Sequence, residues 1–393
     1  MVSVTATPPD AQLRRLPSLT GLRWVAALLV FAFHAGTMGI MTEPLLRQVT
    51  DRLFSLGLSG VQFFFILSGF VLVWSAKPGE RKRDFWQRRV AKIFPNHVLL
   101  WAVVLLLGLY WGNVFDLRVA LANLFLVQAW IPVGGWFYSV NNVSWSLSCE
   151  LFFYLCLPLA LPTIKRMPTW LLTAVLVAVP LLIVGLWPAQ QLLPEEMRWW
   201  FTQIFPVVRS LEFWMGVAAA ELSLRGRWRG PGLGVASALF VVTWLAASFW
   251  IRAELWAALM AAVYVVVIAA AARSDVRGTW SPWRGRTMVR LGEISFAYYL
   301  LHVFVIATAL RLLGVSGFAG WWGPVAVLGF LLLNLALAEL LFRYVETPMM
   351  RRLRPRRRGP GGRPDTPRQR SGPPPPVNAE AGAAHSGRPM ITP

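Results

Sequence analysis

Charge is the scarcest resource in this chain of 393 residues: 14% are Asp, Glu, Lys or Arg, against 56% hydrophobic, and mean hydropathy is +0.54. A soluble domain carries about 25% charged residues, so this sequence cannot wet its own surface and a cytosolic enzyme is excluded. Cysteine is nearly absent too. Cys149 and Cys156 lie seven apart in one apolar segment, which rules out a disulfide framework and leaves free core thiols. The apolar runs are continuous rather than alternating, so the closed-barrel solution to a membrane is excluded and helices remain. No internal repeat is visible, so the inverted-repeat signature of many transporters is missing. No small-x-small cleavage site separates the apolar run Trp24 to Phe33 from His34, so the first segment is expected to be retained. Acid is short as well, with 18 Asp plus Glu facing 38 Lys plus Arg. Much of the basic excess lies after Met350, in a tail of Arg, Pro and Gly over 351–393 whose composition predicts disorder. A basic juxtamembrane tail points to anionic lipid, and no nucleic acid is expected as a partner.

What is present is hydrophobic length. Spanning a core of about 30 Å takes about 17–25 apolar residues. Hydropathy gives about ten segments of an all-α polytopic bundle: Leu16 to Met41, Leu56 to Ser75, His97 to Trp111, Ser144 to Leu161, Trp170 to Trp187, Trp199 to Leu224, Gly232 to Trp250, Leu255 to Ala272, Leu291 to Leu313, and Trp322 to Phe342. Leu117 to Ile131 reads as an interfacial or re-entrant piece. Basic residues cluster at Lys77 to Lys92, at Arg225 to Arg229 and at Arg273 to Arg290, while the intervening loops hold one or two each. The positive-inside rule then puts both termini in the cytoplasm and favours ten spans over eleven. The expected organisation is a short N-terminus over 1–15, a membrane domain over 16–346 and the tail.

Ionisable residues inside spans cost about 2.5–3.5 kcal/mol at the helix centre, which makes each a functional candidate. They are Arg23, His34, Glu150, Arg209, Glu212, Glu221, Glu293, His302, Glu339 and Arg343. Arg23, Glu221, Glu293 and Arg343 sit near cytoplasmic ends, where snorkelling gives a structural role equal standing. His34, Arg209, Glu212 and His302 are deeper. Arg23 and His34 are eleven residues apart, hence on nearly one helical face and about 16 Å apart along the axis. A neutral imidazole suits proton abstraction from a hydroxyl, although a histidine bonding a neighbouring helix would look the same. Ser68 and Gly69 interrupt an aromatic run and allow a helix or a ligand to approach closely. Glu150 lies one turn inside the outer boundary, where it can pair with a cation from another span.

These pieces together resemble acyltransferase family 3. The resemblance rests on Leu19-Thr20-Gly21-Leu22-Arg23 with ten residues to His34, on Gly60 to Phe70, and on Phe85-Trp86-Gln87-Arg88-Arg89-Val90-Ala91-Lys92-Ile93-Phe94-Pro95. It continues through Trp145 to Tyr154, Leu291 to His302 and Glu346-Thr347-Pro348, in family order over about 16 to 350. It implies a ten-span membrane enzyme, and the bias toward Arg, Ala, Gly and Pro over Lys suggests a bacterial genome, hence the bacterial cytoplasmic membrane. Such an enzyme takes an acyl group, usually acetyl, from acyl-CoA and transfers it to a hydroxyl of a glycan, glycolipid or macrolide. Carried over, Arg23 and His34 form the active-site pair, and Arg88, Arg89 and Lys92 in a basic cytoplasmic loop meet the CoA phosphates. On depth alone, Glu150 or Glu212 would orient the imidazole and Arg209 would stabilise an oxyanion; Ser68 and His302 join the substrate-contacting candidates. Neither a metal site nor a bound cofactor is expected, acyl-CoA being a substrate.

The sequence departs from the family at two places. Lys92 replaces a second spaced arginine, a point charge where a bidentate fork is usual, and Glu150 stands alone where two acids are common. No hydrolase-like domain is expected after the tenth segment. A general-base His34 and an acyl-histidine relay are equally compatible with the motif. The rival class is a secondary transporter or exporter, which would also bury charges in a helical bundle.

Overall fold

A computed structural model describes residues 15–353 of the chain. It is all-helical, and among the described residues no strand forms beyond an isolated bridge between Met41 and Phe318. The long helices are α1 (Pro17–Thr37), α2 (Ser59–Trp74), α3 (Lys82–Tyr110), α4 (Trp145–Arg166), α5 (Thr169–Gln190), α6 (Pro206–Leu224), α7 (Leu233–Phe249), α8 (Ala253–Arg277), α9 (Arg286–Leu313) and α10 (Trp322–Leu341). Among the described residues, eight of the helical stretches are long and apolar enough to cross a membrane. The other two are α6, which carries Arg209, Glu212 and Glu221, and α7, which is only 17 residues long.

Several boundaries differ from the sequence expectation, each for a local reason. The basic run Arg88, Arg89 and Lys92 is not in a loop. It occupies the first half of α3, which continues through Pro95, so the three cations share a rigid helix with the span that follows. The sixth expected segment breaks at Ile204 and Phe205, where Pro206 opens α6 at a position that needs no N–H, leaving Glu195–Gln203 as a separate helix. Leu117 to Ile131 becomes two short pieces, Leu117–Leu124 and Gln128–Trp130. His97 tethers the first of them, its Nε2 lying 3.0 Å from the Asn123 carbonyl oxygen. The helix Thr347–Leu353 carries Arg351 and Arg352, so regular structure runs three residues past the expected start of the tail. The rest of that tail lies outside the described residues. Both cysteines are free.

Two helix ends are satisfied at long range. Asp275 of α8 accepts from the Ser18 amide at 2.8 Å and the Ser18 hydroxyl at 2.7 Å, placing a carboxylate on the N-terminal end of α1. Arg225 donates to the carbonyls of Ile164, Lys165 and Met167 at the C-terminal end of α4 and pairs with Glu221 at 2.9 Å. Glu221 thus has a structural partner, as does Glu293 in Arg290, which also pairs with Glu339.

Helix α2 is the centre of the bundle, buried on nearly all sides. It meets α6 at backbone distance: a Cβ on Gly69 would lie 2.1 Å from the Phe213 carbonyl oxygen, and one on Gly216 would lie 1.9 Å from that of Ile66. Helices α1 and α9 meet the same way, Gly292 against the Thr20 carbonyl. Small residues permit such approach where lipid supplies no hydrophobic drive between helices. By contrast α5 and α7 expose Val177, Leu181, Val241 and Val242, the outward apolar face of a peripheral span. Gly216→Ala is therefore expected to destabilise the protein by about 1–3 kcal/mol, whereas Gly185→Ala, which meets nothing within 4 Å, should be neutral. Thermal unfolding of both variants in detergent checks this, and equal midpoints would contradict the packing described.

Candidate active site

A cavity of about 230 Å³ opens among α1, α2, α3, α4 and α9. Arg23 reaches it from α1, Arg88, Arg89 and Lys92 from α3, and Glu150 with Tyr154 from α4; Phe64 and Tyr299 also line it. Rigid helices hold every one of these groups. Two of the four cations are already partnered. Arg88 pairs with Glu80, and Lys92 with Glu346, whose second oxygen accepts from Asn96 at 2.7 Å. Glu346 is fully buried on a π-helical turn, Phe342–Glu346, which ends α10 and swings the carboxylate toward α3.

The other two cations have no carboxylate within 4 Å among the described residues. Arg89 lies over the rings of Phe85 and Tyr154, 5.9 Å from each centroid, and the Nε atoms of both Arg23 and Arg89 are buried without a partner. Glu150 is engaged otherwise, accepting from the Tyr154 hydroxyl at 2.9 Å while that hydroxyl accepts from Ser68 at 3.3 Å. Ser68 therefore acts on the cavity through Tyr154 rather than lining it. Two guanidinium groups beside one hydrogen-bonded carboxylate leave a net positive cavity, suited to an anionic ligand.

His34 does not line this cavity. Its ring packs on His302, centroids 4.9 Å apart, one aromatic layer beyond the wall: Phe64 lies 6.0 Å from Tyr299, and Tyr299 lies 5.7 Å from His302. The hydrogen bonds assign the tautomers of the neutral rings. His302 Nδ1 lies 2.6 Å from the Tyr299 carbonyl, which can only accept, so Nδ1 carries the hydrogen and Nε2 the lone pair. That lone pair faces His34 Nδ1 at 3.1 Å, which also lies 3.0 Å from the Val30 carbonyl, so His34 Nδ1 is the donor. The lone pair of His34 is thereby left on Nε2. A half-buried imidazole held in one tautomer is organised to accept a proton at a defined atom.

Neither Glu150 nor Glu212 hydrogen-bonds this ring, contrary to the sequence expectation. The face of α4 that carries Glu150 turns into the cationic cavity. Glu212 lies on the far side of α2, where it pairs with Arg209 at 3.0 Å and accepts from Gln62 at 2.9 Å. Arg209 stacks on Phe65, 5.4 Å from the centroid, and with Glu212 lines a second cavity of about 470 Å³. The nine expected site residues thus divide into three groups: Arg23, Arg88, Arg89, Lys92 and Glu150 in one cavity with Ser68 behind it, the His34 and His302 pair, and Arg209 apart.

An acyltransferase domain model matches residues 16–343, which is the whole of this architecture from the start of α1 to the end of α10. The chain belongs to acyltransferase family 3. It is a multi-pass membrane O-acyltransferase. The acyltransferase MdmB of Streptomyces mycarofaciens is 37% identical over 370 residues, covering 87% of this chain and 94% of that protein. The exopolysaccharide production protein ExoZ of Rhizobium meliloti is 29% identical over 326 residues, 79% of this chain and 95% of its own length. The O-acetyltransferase OatA of Staphylococcus aureus is 28% identical over 170 residues, 38% of this chain and 25% of that protein. No solved structure matches the chain. With membership in an enzyme family, the transporter alternative falls away.

Sequence reasoning passed over Glu346, Tyr154 and Tyr299, although each lies inside a block quoted for the family resemblance. A carboxylate ahead of Thr347-Pro348 reads as a helix end, and only the π-helical turn reveals that it faces Lys92. Removing one partner of a buried ion pair costs about 3–5 kcal/mol, whereas an apolar pair of similar volume is tolerated. Glu346→Leu alone should therefore lower the unfolding midpoint sharply, and Lys92→Met with Glu346→Leu should recover most of it. If the double variant is as unstable as the single, Lys92 is not what Glu346 serves.

Proposed function

We propose that this enzyme transfers an acetyl group from acetyl-CoA to a hydroxyl of a glycan, glycolipid or macrolide-type acceptor at a bacterial cytoplasmic membrane. The observation that carries the reading is the pair of unneutralised guanidinium groups, Arg23 and Arg89, in a cavity that also holds Arg88 and Lys92. At about 230 Å³ the cavity falls below the roughly 300–1,000 Å³ of sites that enclose drug-sized ligands. It suits the pantetheine arm and thioester, with the nucleotide phosphates held at its basic end by Arg88 and Arg89. The arm's tip meets Phe64 and Tyr299, and displacement of these two rings brings the thioester to the histidine pair. His34 Nε2 takes the proton of the acceptor hydroxyl as the oxygen attacks the thioester carbonyl. The carbon–sulfur bond breaks and the same proton leaves with the CoA thiolate, so ester and free CoA are formed with atoms in balance. CoA is consumed as a substrate, and no resident cofactor takes part in these steps.

Ten spans with both termini cytoplasmic agree with this reading. The ends of α4, α6 and α8 and the starts of α3 and α9 then gather Lys165, Arg166, Arg225, Arg277, Arg88 and Arg290 on the side of the donor. A basic tail on that side would rest against anionic lipid. Acceptor chemistry draws support from relatives whose names tie them to exopolysaccharide production and O-acetylation.

CoA release from radiolabelled acetyl-CoA by the protein in nanodiscs, with envelope extract as acceptor, tests the proposal. His34→Ala should lower kcat by about 10²–10⁴-fold, the span of general-base contributions. Arg89→Leu should raise the acetyl-CoA KM by about tenfold, the loss of one charge-assisted contact, with kcat retained. An active His34→Ala variant would overturn the assignment of the base, and label accumulating on His34 would replace the base by a covalent relay.

A further inference from the structure

The second cavity is unused by the mechanism above, and its chemistry differs from that of the first. It is lined by Gln190 and Gln191 at the end of α5, Thr202 of the helix Glu195–Gln203, Arg209 and Glu212 at the start of α6, and Trp256 near the start of α8. The chain enters α2, α6 and α8 from this end of the bundle and leaves α1 and α9 by it. The cavity therefore shares an end with His34 and His302, opposite the basic end of α3.

Its charges balance, Glu195 and Glu212 against Arg198 and Arg209, so nothing in it calls for a phosphate. Glu212 is 2% exposed and Arg209 8%, yet Glu212 Oε2 and Arg209 Nε are buried without a partner. An orphaned acceptor and an orphaned donor on the two members of one ion pair cost free energy until a ligand supplies the matching hydroxyl. Trp187, Trp199 and Trp256 add flat apolar faces, and the glutamines and Thr202 add neutral hydrogen-bonding groups. Tryptophans of an interfacial belt would need no buried carboxylate beside them. The volume, about 470 Å³, is that of a small-molecule site.

We propose that this cavity is a carbohydrate site: it binds a neutral, polyhydroxylated ring of the acceptor, with hydroxyls on Glu212 Oε2 and Arg209 Nε and a ring face on tryptophan. The proposal rests on the acyl-transfer reading above for what the bound sugar is used for. The site lies across α2 from the donor cavity, with Phe65 lining the first cavity and stacking under Arg209 of the second. Donor and acceptor would therefore be selected by separate pockets.

The test blocks the second pocket after folding. Thr202→Cys is treated with a bulky, membrane-impermeant maleimide, and wild type treated identically controls for the half-buried Cys156. Acetyl transfer is measured to the polysaccharide fraction of an envelope extract and, separately, to a panel of methyl glycosides, alongside the Kd for acetyl-CoA. Transfer should fall by about tenfold or more on labelling while the acetyl-CoA Kd stays within about twofold, and Glu212→Gln should raise the acceptor KM by about tenfold. Loss on the polymer alone identifies a glycan end, and loss on both identifies any glycoside. Fully labelled protein that transfers at the unlabelled rate, or that loses acetyl-CoA binding equally, overturns the proposal. Wild type that binds no acetyl-CoA overturns the underlying reading instead.

Discussion

An excess of positive charge inside an apolar bundle is the constraint on which the rest of this enzyme depends. Arg23 and Arg89 face one cavity without an ion-pair partner among the described residues, while Glu80 and Glu346 already answer Arg88 and Lys92. Burying a guanidinium is tolerable only if something neutralises it, and the surrounding helices provide aromatic faces, hydroxyls and one carboxylate already bonded to Tyr154. The missing anion is most simply the substrate. With CoA as the proposed donor, binding energy would be concentrated on its phosphates, remote from the bond that breaks, where it can hold the thioester in place.

The histidine pair, the proposed reacting end, is built by a different device. Glycines at the α1–α9 and α2–α6 crossings let backbones approach until carbonyls fill the space a methyl would take. That approach fixes helix register, and register puts His302 against His34 with their nitrogens 3.1 Å apart. One imidazole then sets the tautomer of the other, the role a carboxylate plays for many catalytic histidines. A carboxylate beside His34 is unnecessary in this arrangement, which accounts for Glu150 and Glu212 being free to serve separate cavities.

Much of the fold was legible because lipid leaves few options. The boundaries of α1, α2, α5, α8 and α10 follow hydrophobic length, and the separation of Arg23 from His34 along α1 follows from helical rise. Four things were not legible. The start of α3 was hidden because its first half is basic and reads as a loop, although a charged helix extending into the cytoplasm has the same composition. The break before α6 was hidden because hydropathy runs across Pro206 without interruption. The partition of the site residues was hidden because depth along a helix says nothing about azimuth: Arg209, Glu150 and His34 lie on different helices turned toward different neighbours. Glu346 was the most instructive, since only a local change of helical pitch turns it from a helix-end residue into the partner of Lys92.

The central claim is that the cationic cavity among α1, α3 and α4 receives the CoA thioester. The most direct measurement is a cryo-EM structure of the protein in nanodiscs with acetyl-CoA. The account predicts phosphate density against Arg88 and Arg89 and a pantetheine arm running past Arg23 toward Phe64 and Tyr299. Nucleotide density in the cavity beside Arg209 and Glu212, with none between Arg23 and Arg89, would contradict it.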